Sequence, residues 1–225
     1  MNASVVKVVR HDDVAVIEID NKPVNALSKS VRQGLLDALA GFADDPEVSA
    51  VVVHSGEGRF IAGADIKELA VPLEAPFLPD VIARIDALKK PVIAVIDGPA
   101  LGGGLEIALA CDRRIASPRS TLALPETRLG MIPGAGGTQR LPRLVGIEWA
   151  EALAATGEPV KGRQAFDIGL VDAIVEDPLR AAIAQARGAS KRRLSAATVP
   201  RKPLPSTQVL PGSREPIPLL RRHSH

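Results

Sequence analysis

The stretch Pro91-Val92-Ile93-Ala94-Val95-Ile96-Asp97-Gly98-Pro99-Ala100-Leu101-Gly102-Gly103-Gly104-Leu105-Glu106-Ile107-Ala108-Leu109-Ala110 decides the fold class. Its first part, Pro91–Ile96, is a short and wholly apolar run, as a strand buried on both faces requires. Its last part, Leu105–Ala110, reads as a helix that is apolar except at Glu106. Glycine and proline between the two break both patterns. A buried strand, a glycine-rich loop and a helix form the repeating unit of an α/β chain.

The same alternation extends on both sides. Val5–Val9 and Val14–Ile19 flank His11-Asp12-Asp13 and read as a hairpin. Ser28 is a candidate N-cap for a helix with apolar positions at Val31, Leu35, Leu36, Leu39 and Phe42. Ala50–Val53 is a second run of the buried-strand type. Asp65–Ala70 and Val81–Leu88 read as helices, and Arg114–Ala116 as a strand end. Trp149–Ala155, Gly162–Ile168 and Leu179–Arg187 read as helices, with a short strand at Val171–Val175. The pattern fades after Gly188. This predicts one α/β domain over residues 1–188 and a basic, Pro-rich tail over 189–225 that is expected to be flexible.

Charge supports that division. The formal net charge is +2, from 28 Lys and Arg against 26 Asp and Glu. Glu215 is the only acid after Gly188, against eight basic residues and six prolines, so the rest of the chain is net acidic. A basic tail can meet nucleic acid or an acidic surface, but a solvated tail is the plainer reading. Tyrosine is absent and aromatics make up 2% of the chain, which argues against base stacking on nucleic acid. No apolar run reaches the ~18 residues of a membrane span, and the N-terminus lacks the layout of a secretory signal. Cys111 is the only cysteine, so no intramolecular disulfide forms, as suits a reducing compartment.

Several chemistries drop out. Neither glycine cluster fits G-x-G-x-x-G, because Ile107 and Gln139 stand where the last glycine belongs. No phosphate-binding G-x-x-x-x-G-K-[ST] and no G-x-S-x-G is present. Only His11 and His54 lie outside the tail, and no His, Cys or acidic cluster has metal-ligand spacing, so no metal is expected.

What remains is a constellation of three stretches: Phe60-Ile61-Ala62-Gly63-Ala64-Asp65, then Gly102 through Glu106, then Leu124-Pro125-Glu126. Glycines at a helix start cost conformational entropy but let a ligand approach the backbone. Their N–H groups are unpaired first-turn donors at the positive end of the helix dipole. With a second junction at Gly63-Ala64, two such donors can converge on one oxygen as an oxyanion hole. Tight helix–strand packing would favour the same small residues, and the residues alone leave both readings open. Glu106, in apolar surroundings, and Glu126, beside Pro125, are candidate acid/base groups whose carboxyl pKa burial would raise. Taken singly, either one reads more simply as an ordinary surface glutamate.

The combination resembles the crotonase (enoyl-CoA hydratase/isomerase) superfamily. The resemblance runs from about Val5 to Val175 and rests on Asn21 through Leu27, Ala62 through Glu68, Lys90 through Ala94, Ala100 through Glu106, and Pro125 through Arg140. It implies a spiral of ββα units, assembled as a trimer or hexamer. It implies that the N–H groups of Ala64 and Gly103 hold the thioester oxygen of an acyl-CoA, and that Glu106 and Glu126 are the catalytic acids. Val24, Ala26, Ala62, Asp65, Ile66, Lys67 and Gly134 would contact substrate or CoA, and the segment Gly134–Gly137 would line the water side. The implied reaction is addition of water to a trans-2-enoyl-CoA, as in fatty-acid β-oxidation, with no cofactor and in the cytoplasm. Δ3–Δ2 isomerisation is the alternative within the family, and a scaffolding fragment is the alternative outside it. Arg192 through Ser195 and Lys202 through Pro205 are similar to the hydratase lobe of multifunctional β-oxidation enzymes. Family members continue into helices that cover the acyl pocket, whereas this sequence turns Pro-rich.

Overall fold

A computed structural model describes residues 4–56 and 58–200. The hairpin forms as the alternation predicts: β1 (Val6–His11) pairs antiparallel with β2 (Val14–Ile19), and Asp12 turns the chain at φ 55°. Ser28 caps α1 (Lys29–Gly41), its hydroxyl accepting from the N–H of Val31, and Val31, Leu35 and Leu39 are buried. β3 (Ala50–Ser55) follows, then the one-turn α2 (Ile66–Leu69) and α3 (Leu78–Ala87).

From β3 onward the chain repeats one move. β4 (Val92–Ile96) leads through a glycine turn into β5 (Pro99–Leu101) and then α4 (Gly103–Ala110). β6 (Arg113–Ala116) leads into β7 (Thr121–Ala123), a 3-10 turn at Pro125–Leu129 and α5 (Gly137–Val145). The first strand of each unit joins a six-stranded sheet of order β1-β2-β3-β4-β6-β9, parallel except for the first pair. The second strand joins a small sheet of order β5-β7-β8, to which Ile61 adds a bridge at Ala100. Strand, short strand, helix, repeated along two sheets, is the expected ββα spiral. α6 (Ile147–Thr156), β8 (Val160–Lys161), α7 (Gly162–Asp167), β9 (Ala173–Ile174) and α8 (Pro178–Ala186) complete the order.

The apolar runs of β3 and β4 follow from burial on both faces. One face packs against α1, α3 and α4 in the main core, with Val51, Val53 and Ile96. The other packs under α8, where Val52, Ile93 and Val95 meet Ala182 and Ala186. Helix α4 lies in the middle of the main core, and every residue from Gly104 to Ala110 is buried. A helix apolar all round is stable only in such a place. Glu106 is therefore carried into the interior by its neighbours.

The packed core extends past Gly188. The Lys191 ammonium reaches Asp112 at 3.0 Å and the carbonyl of Ile85, while the backbone N–H of Arg192 donates to Asp112. Arg192 also pairs with Asp172, and Leu194 is buried. The expected boundary at residue 188 is corrected here. Asp112 and Asp172 give this basic run buried and half-buried partners, so it docks instead of remaining solvated. The rest of the predicted tail, 201–225, lies outside the described residues.

Candidate active site

Ala64 and Gly103 come from different units but line one pocket of about 540 Å³, together with Glu126. The peptide geometry dictates where their N–H groups point. In a trans peptide the C=O and N–H point in opposite directions. The carbonyl of Gly63 accepts from the N–H of Leu27 at 2.9 Å, so the N–H of Ala64 faces away from α1 and toward the pocket. The carbonyl of Gly102 accepts the first helical bond of α4, from Glu106 N–H at 3.0 Å, so the N–H of Gly103 projects out of the helix start. Neither N–H donates to any group among the described residues.

Glycine is required at this corner. Gly102 sits at φ 51°, ψ −123°, and a Cβ there would lie 2.9 Å from Glu126 Oε1. At Gly103 a Cβ would lie 2.7 Å from the side chain of Leu78, and at Gly104 only 2.3 Å from the carbonyl of Ile61. Close packing thus accounts for Gly104, and at Gly103 the backbone N–H is left facing the pocket.

The two carboxyls have different settings. Glu126 stands on the Pro125–Leu129 turn, half-buried, with its Oε2 inaccessible and without a hydrogen-bond partner. An orphaned buried carboxylate oxygen costs ~1–3 kcal/mol and calls for an explanation, such as a ligand or water it serves. Glu106 is only 3% exposed. Its Oε1 accepts from the N–H groups of Ala135 and Gly137, each at 2.8 Å. Burial pushes the Glu106 carboxyl above its ordinary range, opposed by those two N–H groups and the positive Arg140. Burial also raises Glu126, and the charge of Glu106 adds to the shift. Raised carboxyls hold a proton more readily than ordinary ones, which suits both to proton transfer.

Val24, Ala26, Ala62, Asp65, Ile66 and Lys67 all line the same pocket. Asp65 caps α2 by accepting from the Lys67 N–H, which fixes that wall. Glu106 does not reach the pocket lining, and neither does Gly134. Within the segment Gly134–Gly137 it is Ala135 and Gly137 whose N–H groups turn inward to Glu106. A Cβ at Gly137 would lie 3.0 Å from Glu106 Oε1, a packing constraint with no sequence signal beyond the glycine itself. Sequence reasoning also missed Leu129 and Met131, 68% and 41% exposed, which put apolar surface at the mouth. Among the described residues, no cluster of three or more His, Cys, Asp or Glu could hold a metal ion.

Comparison with known proteins gives the family. The family model described as enoyl-CoA hydratase/isomerase matches residues 10–197. A peroxisomal bifunctional enzyme of Danio rerio is 46% identical over 196 residues, which cover 84% of this chain and 27% of that protein. A probable enoyl-CoA hydratase of Bacillus subtilis (strain 168) is 46% identical over 172 residues, 73% of this chain and 66% of that one. The crystal structure of an enoyl-CoA hydratase from Bacillus anthracis superimposes with a TM-score of 0.77 at 35% identity, over 82% of this chain and 76% of that one. The chain thus spans about a quarter of the length of its bifunctional relative.

Proposed function

Since this chain belongs to the enoyl-CoA hydratase/isomerase family, we propose that it adds water across the double bond of a trans-2-enoyl-CoA. The observation that carries the reading is the pocket itself. Two unpaired N–H donors, from Ala64 and Gly103, share it with a carboxylate whose Oε2 has no partner. In this reading the thioester oxygen sits between the two donors. They withdraw electron density from C3 and stabilise the enolate formed when water attacks there. Such preorganised donors are worth ~10²–10³ in rate each. Glu126 and Glu106 orient the water and take its proton, and one of them returns a proton to C2. The water oxygen ends on C3 and a proton on C2, so the step is redox-neutral and needs no electron carrier. Val24, Ala26, Ala62, Asp65, Ile66 and Lys67 hold the CoA portion. A trimeric or hexameric assembly and a cytoplasmic location are carried by the family resemblance alone and complete the proposal.

One observation favours a second reading. Glu126 lines the pocket and Glu106 does not. A single carboxylate suffices to carry a proton between C4 and C2, which would give Δ3–Δ2 isomerisation. Purified protein assayed on crotonyl-CoA, by loss of the conjugated-thioester absorbance, tests the first reading. Glu106→Gln and Glu126→Gln should each lower kcat for hydration by roughly 10²–10⁴. The double variant should be little worse than the poorer single one, because parts of one unit are not additive. Isomerisation that survives Glu106→Gln but not Glu126→Gln, without hydration in the parent, selects the second reading. Full hydration in either single variant removes that glutamate from the mechanism.

A further inference from the structure

Arg32 lies on α1, away from the pocket lining, and is 5% exposed. A buried guanidinium is costly unless its donors are met. Here they are spread over backbone rather than concentrated on one carboxylate. Nη1 donates to the carbonyl of Leu27 at 2.6 Å and to Glu68 at 2.8 Å. Nε donates to the carbonyl of Pro76 at 2.6 Å, and Nη2 to that of Glu74 at 3.1 Å. Glu68 in turn accepts from the Lys29 N–H at the start of α1.

One of these bonds reaches the residue that aims the Ala64 donor. Leu27 is the residue whose N–H holds the carbonyl of Gly63, and that carbonyl sets the direction of the Ala64 N–H. Arg32 fixes the other end of Leu27 and, through Glu68, Glu74 and Pro76, the segment that follows Ala64. We propose that Arg32 is a positioning residue for the oxyanion donor at Ala64, acting through Leu27 and Gly63. The inference rests on the oxyanion-hole reading above. A planar, five-donor fork holds its partners in one fixed relative geometry, whereas an ammonium on a flexible stem offers three rotatable donors from a single point.

The test measures carbonyl polarisation directly. Butyryl-CoA, labelled with ¹³C at the thioester carbon, lacks the double bond and cannot be hydrated. Its carbonyl stretch should move to lower frequency on binding the parent protein, by isotope-edited infrared spectroscopy. In Arg32→Met and Arg32→Lys the ligand should still bind, but with a smaller downshift. The kcat for crotonyl-CoA hydration should fall roughly 10–100-fold, less than for a donor removed outright. Glu68→Gln keeps all three carbonyl contacts of Arg32 and should retain the downshift. If Arg32→Met fails to fold, Arg32→Lys decides. A folded variant with the parental downshift and kcat overturns the role of Arg32 alone. A parent that binds butyryl-CoA with no downshift overturns the oxyanion hole, and this inference with it.

Discussion

Gly102→Ala is a small change with two separable consequences. Gly102 occupies φ 51°, ψ −123°, a conformation that residues with a Cβ enter only under strain. Such strain costs of order 1–3 kcal/mol. At ~2–4 °C per kcal/mol for a chain of this size, Tm should fall by roughly 2–12 °C. The new methyl carbon would also lie 2.9 Å from Glu126 Oε1, tighter than contacts real Cβ atoms show. Either the carboxylate moves by several tenths of an ångström or the turn does. A displacement approaching 1 Å can cost 10²-fold in rate, so kcat for crotonyl-CoA hydration should fall roughly 10-fold or more. Because the Gly102–Gly103 peptide also aims one donor, KM should change less than kcat.

The two contributions separate in a cycle with Glu126→Ala. Removing the glutamate abolishes the clash but leaves the backbone strain. Adding Gly102→Ala to Glu126→Ala should therefore lower Tm by less than it does in the parent, and lower kcat by less, the remaining loss coming from the donor that the Gly102–Gly103 peptide aims. An alanine at position 102 with parental Tm and parental kcat would refute both the backbone assignment and the placement of Glu126.

Two further outcomes follow from the buried charges. The carboxyls of Glu106 and Glu126 are raised in the fold relative to the unfolded chain, so the folded state binds protons more tightly. Their contribution is most favourable below the ordinary carboxyl range of ~4.3 and is lost as pH rises through the raised values. Glu106→Gln, whose amide oxygen can still accept from Ala135 and Gly137, should thus raise Tm at pH 8 and give no gain at pH 4. A Tm difference independent of pH would show that the side chain is not desolvated. Lys191→Met strands Asp112, which is 1% exposed, with two backbone N–H groups and no cation. Unpairing a buried ion costs ~3–5 kcal/mol, and the partly exposed Lys191 argues for the lower end, to be read as a loss of several degrees in a thermal melt.

How much of this was legible depends on length and burial. β3, β4 and α4 are visible in the sequence because each is buried on nearly all sides and so reads as an apolar run, broken in α4 only by Glu106. The hairpin is visible because β1 and β2 alternate or run in β-branched residues about a two-residue turn. The small sheet β5-β7-β8 is not visible: its strands have three, three and two residues, too few to establish a period. The docking of Lys191 and Arg192 is hidden for a different reason. A run of basic residues normally signals solvent, and only the fold reveals that Asp112 and Asp172 wait below it. At the site, the glycines and glutamates announce themselves by composition, but their directions do not. The inward turn of Ala135 and Gly137, and the absence of Gly134 from the pocket, are facts about peptide orientation that residue types do not encode.

The site also shows where stability is given up. Glu106 is carried into the core by α4, Glu126 keeps an oxygen without a partner, and two N–H groups face an open pocket. Each is a feature a purely structural core would eliminate, by replacing the acid with an apolar residue or by closing the donor onto a carbonyl. The surroundings instead hold these groups in place. Two N–H groups fix Glu106, the Leu27–Gly63 bond aims Ala64, and Arg32 secures Leu27. The docked segment then ties the elements that carry them: Lys191 joins the end of α3 to Asp112 just past α4, and Arg143 of α5 donates to the carbonyl of Ala197. Anchors placed this way keep the unpaired groups from relaxing toward each other.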